Sequence, residues 1–236
     1  MSSPTDDVPP PSRVRPTQIV ADEAWDWVNE VGAAPEVDVS DQRVIAILVS
    51  HNAASWLDQT LDSLRNLTVG PERYIAADTG STDTSLGILR DSGLFAIGVV
   101  AGPDDSFGQA VDQALATFTE GHPQRAIAQI DEWLWLLHDD ITVDPEALRH
   151  LLECAVHHPD ADVIGPKLLQ PGRVAGPRRI SELGVTISDT ARMDYHLEPG
   201  EIDQQQHTST ETLGVNTCGM LVRRTVFEAL GGLAPE

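Results

Sequence analysis

Two adjacent aspartates, Asp139 and Asp140, follow His138 at the end of the apolar run 133–137, which is typical of a buried strand. In an α/β sheet the loops after the strands form the binding crevice, so paired carboxylates at this point can act on a ligand. Two other Asp-Asp pairs, at 6–7 and 104–105, do not end an apolar strand. The structural alternative for the pair at 139–140 is a solvated strand end in which aspartate forms the turn.

Two further strand ends carry polar residues. The run 44–49 is followed by segment 50–52 (Ser-His-Asn), and the run 74–77 by segment 78–83 (Asp-Thr-Gly-Ser-Thr-Asp). The carboxylate of Asp78 can accept a hydrogen bond from a pyrimidine base edge or from a sugar hydroxyl. A purely structural turn explains the segment equally well, because its glycine permits a tight turn and Ser81, Thr82 or Asp83 can cap the next helix.

The pattern from residue 42 onward predicts the elements that position these side chains. Helical stretches such as 54–67, with leucines on one face, alternate with apolar β-rich runs at 44–49, 74–77, 96–100, 133–137 and 163–164. Segment 144–146 (Asp-Pro-Glu) has the composition of a helix start, with Asp144 as cap and Pro145 in the first turn. Strands alternating with helices predict a Rossmann-like α/β fold, a mostly parallel sheet flanked by helices.

Composition limits the partners of the chain. Its 236 residues contain 15 Lys+Arg and 37 Asp+Glu, a net charge of -22, which argues against binding to nucleic acid or anionic lipid. Two cysteines without metal-site spacing favour a reducing compartment, so the cytoplasm is the expected location. The amino terminus lacks the pattern of a signal peptide, and no apolar run approaches the roughly 20 residues of a membrane helix.

Domain organisation follows from a shift in composition near residue 40. Residues 1–40 are rich in proline and polar residues, which predicts a flexible lead-in containing a short helix over 21–31. Residues 41–236 are predicted to form one α/β domain. The first strand is followed neither by the dinucleotide fingerprint Gly-x-Gly-x-x-Gly nor by a phosphate-binding P-loop.

In order and separation, segments 44–52, 78–83 and 136–140 resemble the family 2 glycosyltransferases of the GT-A fold. Segment 106–110 (Ser-Phe-Gly-Gln-Ala) is similar to the family's entry into a helix, and segment 219–227 to the strand-to-helix junction before its catalytic base. The resemblance covers about residues 43–232. Segment 200–205 is similar to rhamnosyl- and galactofuranosyltransferase-like members that build bacterial cell-surface polysaccharide.

This resemblance implies a metal-dependent, inverting transfer of sugar from a nucleoside-diphosphate donor, with UDP or dTDP, to a glycan or lipid-linked acceptor. It implies that Asp78 holds the pyrimidine ring and that Gly80 gives the base room. Ser50 and Asn52 are expected to line the nucleotide-sugar site, and Asp139 to contact the ribose. A longer native protein would act at the inner face of the membrane.

Asp140 is the metal-ligand candidate, because it matches the last acid of the family's Asp-x-Asp signature. His138 stands where the first acid is usual and is a second candidate ligand. An aspartate near a diphosphate would repel it by about 4 kcal/mol for each pair of unit charges about 4 Å apart, at an effective dielectric near 20. A cation is therefore needed, and Mg²⁺ or Mn²⁺ suits oxygen ligands that combine one or two carboxylates with substrate phosphates.

The catalytic base of similar proteins lies shortly after the segment that matches 219–230, so it is expected beyond Glu236, in a longer protein of which this chain is a fragment. The alternative is a non-catalytic module that binds a nucleotide sugar or a partner and lacks the base. A nucleotidyltransferase would need a glycine-rich, basic loop after the first strand, which segment 50–54 is not. Arg223 and Arg224 are expected to form a surface pair at a helix start.

Overall fold

The apolar runs of the sequence form the strands of a sheet in a computed structural model that describes residues 36–95, 98–102, 105–121, 132–171, 177–190, 192–194, 197–198 and 200–233. From Val37 onward these residues belong to one compact unit, Val37–Glu236. The predicted lead-in over 1–40 falls almost wholly outside the described residues, and its helix over 21–31 falls outside them entirely.

The described strands are β1 (Arg43–Ser50), β2 (Arg73–Asp78), β3 (Val99–Ala101), β4 (Glu132–His138), β5 (Val163–Ile164), β6 (Leu168–Leu169), β7 (Ile180–Glu182), β8 (Thr186–Ile187), β9 (Met193–Asp194) and β10 (Leu221–Arg223). The described helices are α1 (Leu57–Arg65), α2 (Ser85–Asp91), α3 (Phe107–Gly121), α4 (Ala147–His157) and α5 (Arg224–Leu230).

Six strands form the main sheet in the order β3-β2-β1-β4-β10-β5. Strand β1 runs parallel to both β2 and β4, and β2 runs parallel to β3. Strand β10 is antiparallel to β4 and to β5, so β5 points in the same direction as β4. The mostly parallel sheet is as predicted from the sequence. No pattern in the sequence indicated the reversed direction of β10.

The central strands are apolar throughout because helices cover both faces of the sheet. In β1 every residue after Arg43 is buried, and alternate residues enter two separate cores. One core joins Val44, Ala46 and Leu48 to the apolar faces of α1 and α4. The other joins Ile45, Ile47 and Val49 to α3 and to Phe227 of α5.

Two helices begin later than the sequence pattern suggests. Helix α1 begins at Leu57, and the preceding residues 54–56 form a turn, although the predicted leucine face of Leu57, Leu61 and Leu64 is buried. Helix α4 begins at Ala147. Asp144 Oδ1 accepts a hydrogen bond from the backbone N–H of Glu146 at 3.1 Å, so the aspartate closes a turn that precedes the helix.

The expectation of a surface arginine pair is wrong for Arg224, whose side chain is 1% exposed. Its guanidinium donates to Glu132 Oε2 at 2.6 Å and to Glu228 Oε1 at 2.7 Å. The buried carboxylate at the start of β4 supplies the counter-charge that makes burial of the arginine tolerable. Arg223 lies over the ring of the buried Trp133, 4.4 Å from its centroid.

Between β5 and β10 the chain makes a long excursion that contains two small antiparallel pairs, β6–β7 and β8–β9. Glycines allow its two ends to pack closely together. A Cβ added to Gly165 would lie 2.5 Å from Val215 Cβ, and one added to Gly219, where φ is 85°, would lie 2.9 Å from Pro166 Cγ. Throughout the ranges described, no helix combines the length and apolar character needed to cross a membrane.

Candidate functional site

The carboxyl ends of β1, β2 and β4 bring the predicted site residues to one edge of the sheet. Ser50 is the register partner of Asp78, and Val49 is the register partner of His138. Asp139 and Asp140 follow His138 directly. Residues from three separate segments therefore meet at the edge where a parallel sheet binds its ligands.

Asp78 and Ser50 form a buried polar pair at this edge. Asp78 is 2% exposed and Ser50 is 1% exposed. Asp78 Oδ1 accepts a hydrogen bond from the backbone N–H of Ser81 at 3.0 Å. Among the described residues, Asp78 Oδ2 has no hydrogen-bond partner. The Ser50 hydroxyl lies close enough to the Asp139 carboxyl to affect its pKa. Gly80 follows with a φ of 78°, a left-handed conformation that suits glycine.

Asp139 is half-buried, and Asp140 beside it is exposed. Burial raises the pKa of the Asp139 carboxyl, and the charge of Asp140 acts in the same direction. Three neighbours oppose this rise in pKa: the backbone N–H of His51, which donates to Oδ2 at 2.7 Å, the hydroxyl of Ser50 and the side chain of Trp56. Asp139 is thus fixed to the loop after β1, while Asp140 keeps its carboxylate in solvent.

Asn52 ties the loop after β1 to the loop after β2. Its φ of 51° lies in the left-handed region, where asparagine is among the tolerated residues. Its Oδ1 accepts from the backbone N–H of Thr82 at 2.8 Å and from the Thr82 hydroxyl at 3.2 Å. Its own backbone N–H donates to Ser81 Oγ at 2.9 Å. The side-chain oxygen of this candidate ligand-binding residue is therefore engaged within the protein.

Asp83 organises the second loop, as its position in the sequence indicates. Its Oδ1 accepts from the hydroxyl and backbone N–H of Ser85, and its Oδ2 accepts from the backbone N–H of Ala54 at 3.1 Å. These bonds, with the Ser85 hydroxyl foremost, lower the pKa of the Asp83 carboxyl. The carboxylate thus connects the two loops and closes the turn that precedes α2, whose N-cap residue is Thr84.

His138 is held by two contacts on the other side of β4. Its ring stacks on Phe107 at the start of α3, with 4.4 Å between centroids and 22° between planes. Its Nε2 lies 3.0 Å from Thr217 Oγ1. Burial holds the pKa of His138 below its usual value, although Asp140 and Asp139 act in the opposite direction. Thr217 therefore already contacts Nε2 of His138, the second candidate metal ligand.

The segment before β10 is a part of the site that sequence reasoning missed. Asn216 donates to Glu182 Oε2 at 3.1 Å, and its Oδ1 accepts from the backbone N–H of Cys218 at 2.8 Å. Burial, followed by the charges of Asp140 and Glu182, raises the pKa of the Cys218 thiol to about 11. The approach of these residues depends on the reversed direction of β10, which no local pattern signals.

The donor set at this edge fits a hard divalent cation. Asp140 and Asp139 offer carboxylate oxygens, and Mg²⁺ commonly uses one or two carboxylates together with substrate phosphates and water. No three Asp, Glu, His or Cys side chains in the described part of the chain converge as a complete protein-only metal site. Asp139 and Asp140 are thus two candidate ligands for such an ion.

Comparison with known proteins gives a family match and several relatives. The family described as Glycosyl transferase family 2 matches residues 45–231. The O-antigen chain rhamnosyltransferase RfbN of Salmonella typhimurium is 24% identical over 199 residues, 82% of this chain and 56% of that protein. The N-acetylglucosaminyl-diphospho-decaprenol L-rhamnosyltransferase of Mycobacterium tuberculosis is 25% identical over 127 residues, 53% of this chain and 41% of that protein. The chain spans about half the length of these curated relatives.

A solved structure supports the fold. The mannosyltransferase PcManGT from Pyrobaculum calidifontis, in complex with GDP-Man and Mn²⁺, superimposes with a TM-score of 0.52 at 14% identity. The match covers 89% of this chain and 53% of that chain. The expected GT-A architecture, a mostly parallel α/β sheet flanked by helices, is confirmed.

Proposed function

The chain belongs to glycosyl transferase family 2, and on that premise we propose that it is a metal-dependent, inverting glycosyltransferase. It takes a sugar from a UDP- or dTDP-linked donor and transfers it to a glycan or lipid-linked acceptor during synthesis of cell-envelope polysaccharide. The names of the O-antigen and diphospho-decaprenol relatives support this class of acceptor. A lipid-linked acceptor would place the reaction at the cytoplasmic face of the membrane.

The observation that carries the donor assignment is the buried oxygen Asp78 Oδ2, which has no hydrogen-bond partner among the described residues. Leaving a buried acceptor without a donor costs about 1–3 kcal/mol, so such atoms at a ligand-binding edge favour a ligand that satisfies them. The imide N–H of a pyrimidine is a suitable donor for the Asp78 carboxylate. Gly80, which lacks a side chain, leaves space for the ring, and Asn52 holds this loop in place.

The other end of the donor lies against the acidic pair. Asp139, fixed by His51, binds a ribose hydroxyl, and Asp140 is the ligand for Mg²⁺ or Mn²⁺, with His138 as the second candidate. When bound, the ion supplies the positive charge that stabilises the leaving nucleoside diphosphate. Without a cation, the carboxylates would repel the diphosphate.

The transfer is a direct displacement at the anomeric carbon. The acceptor hydroxyl oxygen forms a bond to that carbon as the bond to the diphosphate oxygen breaks, and the configuration inverts. The hydroxyl proton passes to a base, and we assign no residue of this chain to that role. This chain's own contribution is to orient the donor through Asp78, Ser50 and Asp139.

Calorimetry of nucleotide binding tests the proposal. We expect UDP or dTDP to bind more tightly with Mn²⁺ than with chelator, and Asp140→Asn to abolish the metal-dependent part. The exposed Asp160→Asn, in the turn after α4, is the matched control and should behave like the wild type. Equal affinity with metal and with chelator would refute metal dependence, and absence of binding by both nucleotides would refute the donor assignment.

Donor turnover separates catalysis from binding alone. A longer native protein that holds the nucleotide sugar but neither transfers nor hydrolyses it would support the alternative, a non-catalytic binding module of the same fold. Sugar transfer with inverted anomeric configuration, measured by NMR of the product, would support the enzyme.

A further inference from the structure

His51 lies in the loop after β1 and makes hydrogen bonds within that loop and to the residues that follow β2 and β4. Its ring Nδ1 lies 2.8 Å from the backbone oxygen of Thr79 and 3.1 Å from Thr79 Oγ1. Its Nε2 lies 2.9 Å from Asn52 Nδ2. Its backbone N–H donates to Asp139 Oδ2 at 2.7 Å. One residue thus contacts all three strand ends of the proposed donor site.

The neighbours of the ring determine where its proton lies. The backbone N–H of Thr82 can only donate, so the atom of Asn52 that faces it at 2.8 Å is the oxygen. The amide nitrogen of Asn52 therefore faces His51 Nε2 and donates to it. Because the Thr79 carbonyl can only accept, Nδ1 carries the hydrogen. The network assigns a neutral imidazole that is protonated on Nδ1 and unprotonated on Nε2.

The same network reaches both carboxylates of the donor site. On one side, the backbone N–H of His51 holds Asp139. On the other, Asn52 holds Ser81 through a bond of 2.9 Å, and the N–H of Ser81 holds Asp78 Oδ1 at 3.0 Å. A shift of the His51 ring would release the turn that carries Asp78 from the loop that fixes Asp139.

We propose that His51, as the neutral Nδ1–H tautomer, is a positioning residue that holds Asp78 and Asp139 in the spacing required by the nucleotide. This inference rests on the proposed donor site and deepens it. His51 is exposed, whereas both cores of the domain lie beneath the site, so loss of its ring contacts should weaken nucleotide binding much more than folding.

Two substitutions separate the hydrogen bonds from the bulk of the ring. His51→Leu removes the ring's hydrogen bonds to Thr79 and Asn52 and should weaken UDP binding with Mn²⁺ about tenfold or more, given the usual strength of such bonds. His51→Asn keeps a side-chain N–H near the Nδ1 position and should recover a large part of that loss. His150→Leu, an exposed histidine change on α4, is the matched control and should leave the affinity unchanged.

The tautomer of His51 can be measured directly, and a residue that only fills space would not need a particular tautomer. The ¹⁵N chemical shifts of the His51 ring at neutral pH should identify Nδ1 as protonated and Nε2 as unprotonated. Asn52→Asp replaces the amide donor to Nε2 with a carboxylate oxygen, so it should change this pattern and weaken UDP binding. The reverse tautomer in the wild-type protein would overturn the proposal.

The outcomes distinguish this inference from the function on which it rests. If the wild type binds UDP and His51→Leu binds it equally well, the positioning role is wrong while the donor site stands. If the wild type binds neither UDP nor dTDP, both proposals fall, because there is no donor for His51 to position. Parallel thermal unfolding of each variant should show changes of no more than a few degrees, and global unfolding of His51→Leu would contradict a role confined to the site.

Discussion

At the scale of the residue, the buried carboxylate of Asp78 is expected to lower the stability of the fold while it supports nucleotide binding. One of its oxygens has no partner among the described residues, although the side chain is almost completely buried. An ionised group in that position costs folding free energy, since burial without a partner removes its hydration. In the proposed function, the bound nucleotide supplies the missing donor.

Asp78→Asn should therefore affect the two properties in opposite directions. The amide keeps an oxygen for the N–H of Ser81 but carries no charge, so we expect the free energy of unfolding to rise by about 0.5–2 kcal/mol. Loss of the acceptor should weaken UDP binding about tenfold. Urea unfolding and calorimetry measure the two quantities. A variant that loses stability and keeps its affinity would contradict the assigned role.

Tyr74 predicts how stability depends on alkaline pH. Burial raises the pKa of its phenol from 10.0 to about 12. The folded protein holds the proton more tightly than the unfolded chain, so this stabilisation is fully present below pH 10 and is lost as pH rises to about 12. Tyr74→Phe should be less stable by about 0.5–1.5 kcal/mol near neutral pH, because it lacks the bond to the Leu64 carbonyl.

The decrease of the unfolding free energy at alkaline pH measures the contribution of Tyr74. Unfolding free energies of the wild type and Tyr74→Phe should converge between pH 10 and pH 12, because only the wild type loses the contribution of this phenol. Parallel curves over that range would show that burial of Tyr74 does not control its ionisation.

The sequence predicted that candidate site residues meet at one edge of the sheet where strand ends alone determine their position. Ser50, Asp78 and Asp139 end or follow apolar runs, so a parallel sheet must bring them to one edge. His51 stood in the same segment, but its importance depends on ring contacts with Thr79 and Asn52 that spacing does not reveal. The roles of Asp140 and His138 in metal binding stay predictions.

At the scale of the element, a strand could be predicted where it has a local sequence pattern, but not where long-range pairing determines it. Strands β1, β2 and β4 extend only one residue beyond each end of the runs read from the sequence, because their burial on both faces leaves an uninterrupted apolar signal. Strands β6 to β9 have two or three residues each, and β6, β7 and β8 are partly exposed, so they leave no comparable pattern. The reversed β10 is set by long-range pairing with β4.

Helix α5 is anchored by the buried ion pair of Arg224 and Glu132 rather than by apolar packing alone. Arg224→Leu leaves the Glu132 carboxylate buried with its partner removed and should cost about 3–5 kcal/mol of unfolding free energy. The double variant Arg224→Leu/Glu132→Leu should recover most of that loss. Chemical unfolding of the single and double variants measures both effects.

An exposed ion pair provides the control for this prediction. Arg65 lies 2.7 Å from Asp62 on the surface of α1, and Arg65→Leu should change stability by about 1 kcal/mol or less. If Arg224→Leu had an equally small effect, the buried pair would not be what holds α5 to the sheet.

At the scale of the whole molecule, net charge opposes the proposed donor. The chain carries a net charge of -22, and a nucleoside diphosphate is itself an anion. Added salt screens this repulsion over about 10 Å at 0.1 M ionic strength. UDP affinity in the absence of a divalent metal should therefore rise as sodium chloride increases from about 20 to about 200 mM.

Titrations at several salt concentrations, with chelator present, test this expectation. Affinity that falls steeply with salt would reveal a local cationic site strong enough to outweigh the global charge. With Mn²⁺ present, the salt dependence should become weaker or reverse, since the ion adds an attraction that salt also screens.

The opposed directions of β5 and β10 give the domain a modular boundary. The chain leaves the sheet after Ile164 and re-enters it at Leu221, and these two residues are register partners at the same margin. Everything between them is a cassette with adjacent anchor points, so its length and content can diverge without rethreading the strands. Chimeras in which the segment between these two positions is exchanged should therefore keep the pairing of the sheet strands.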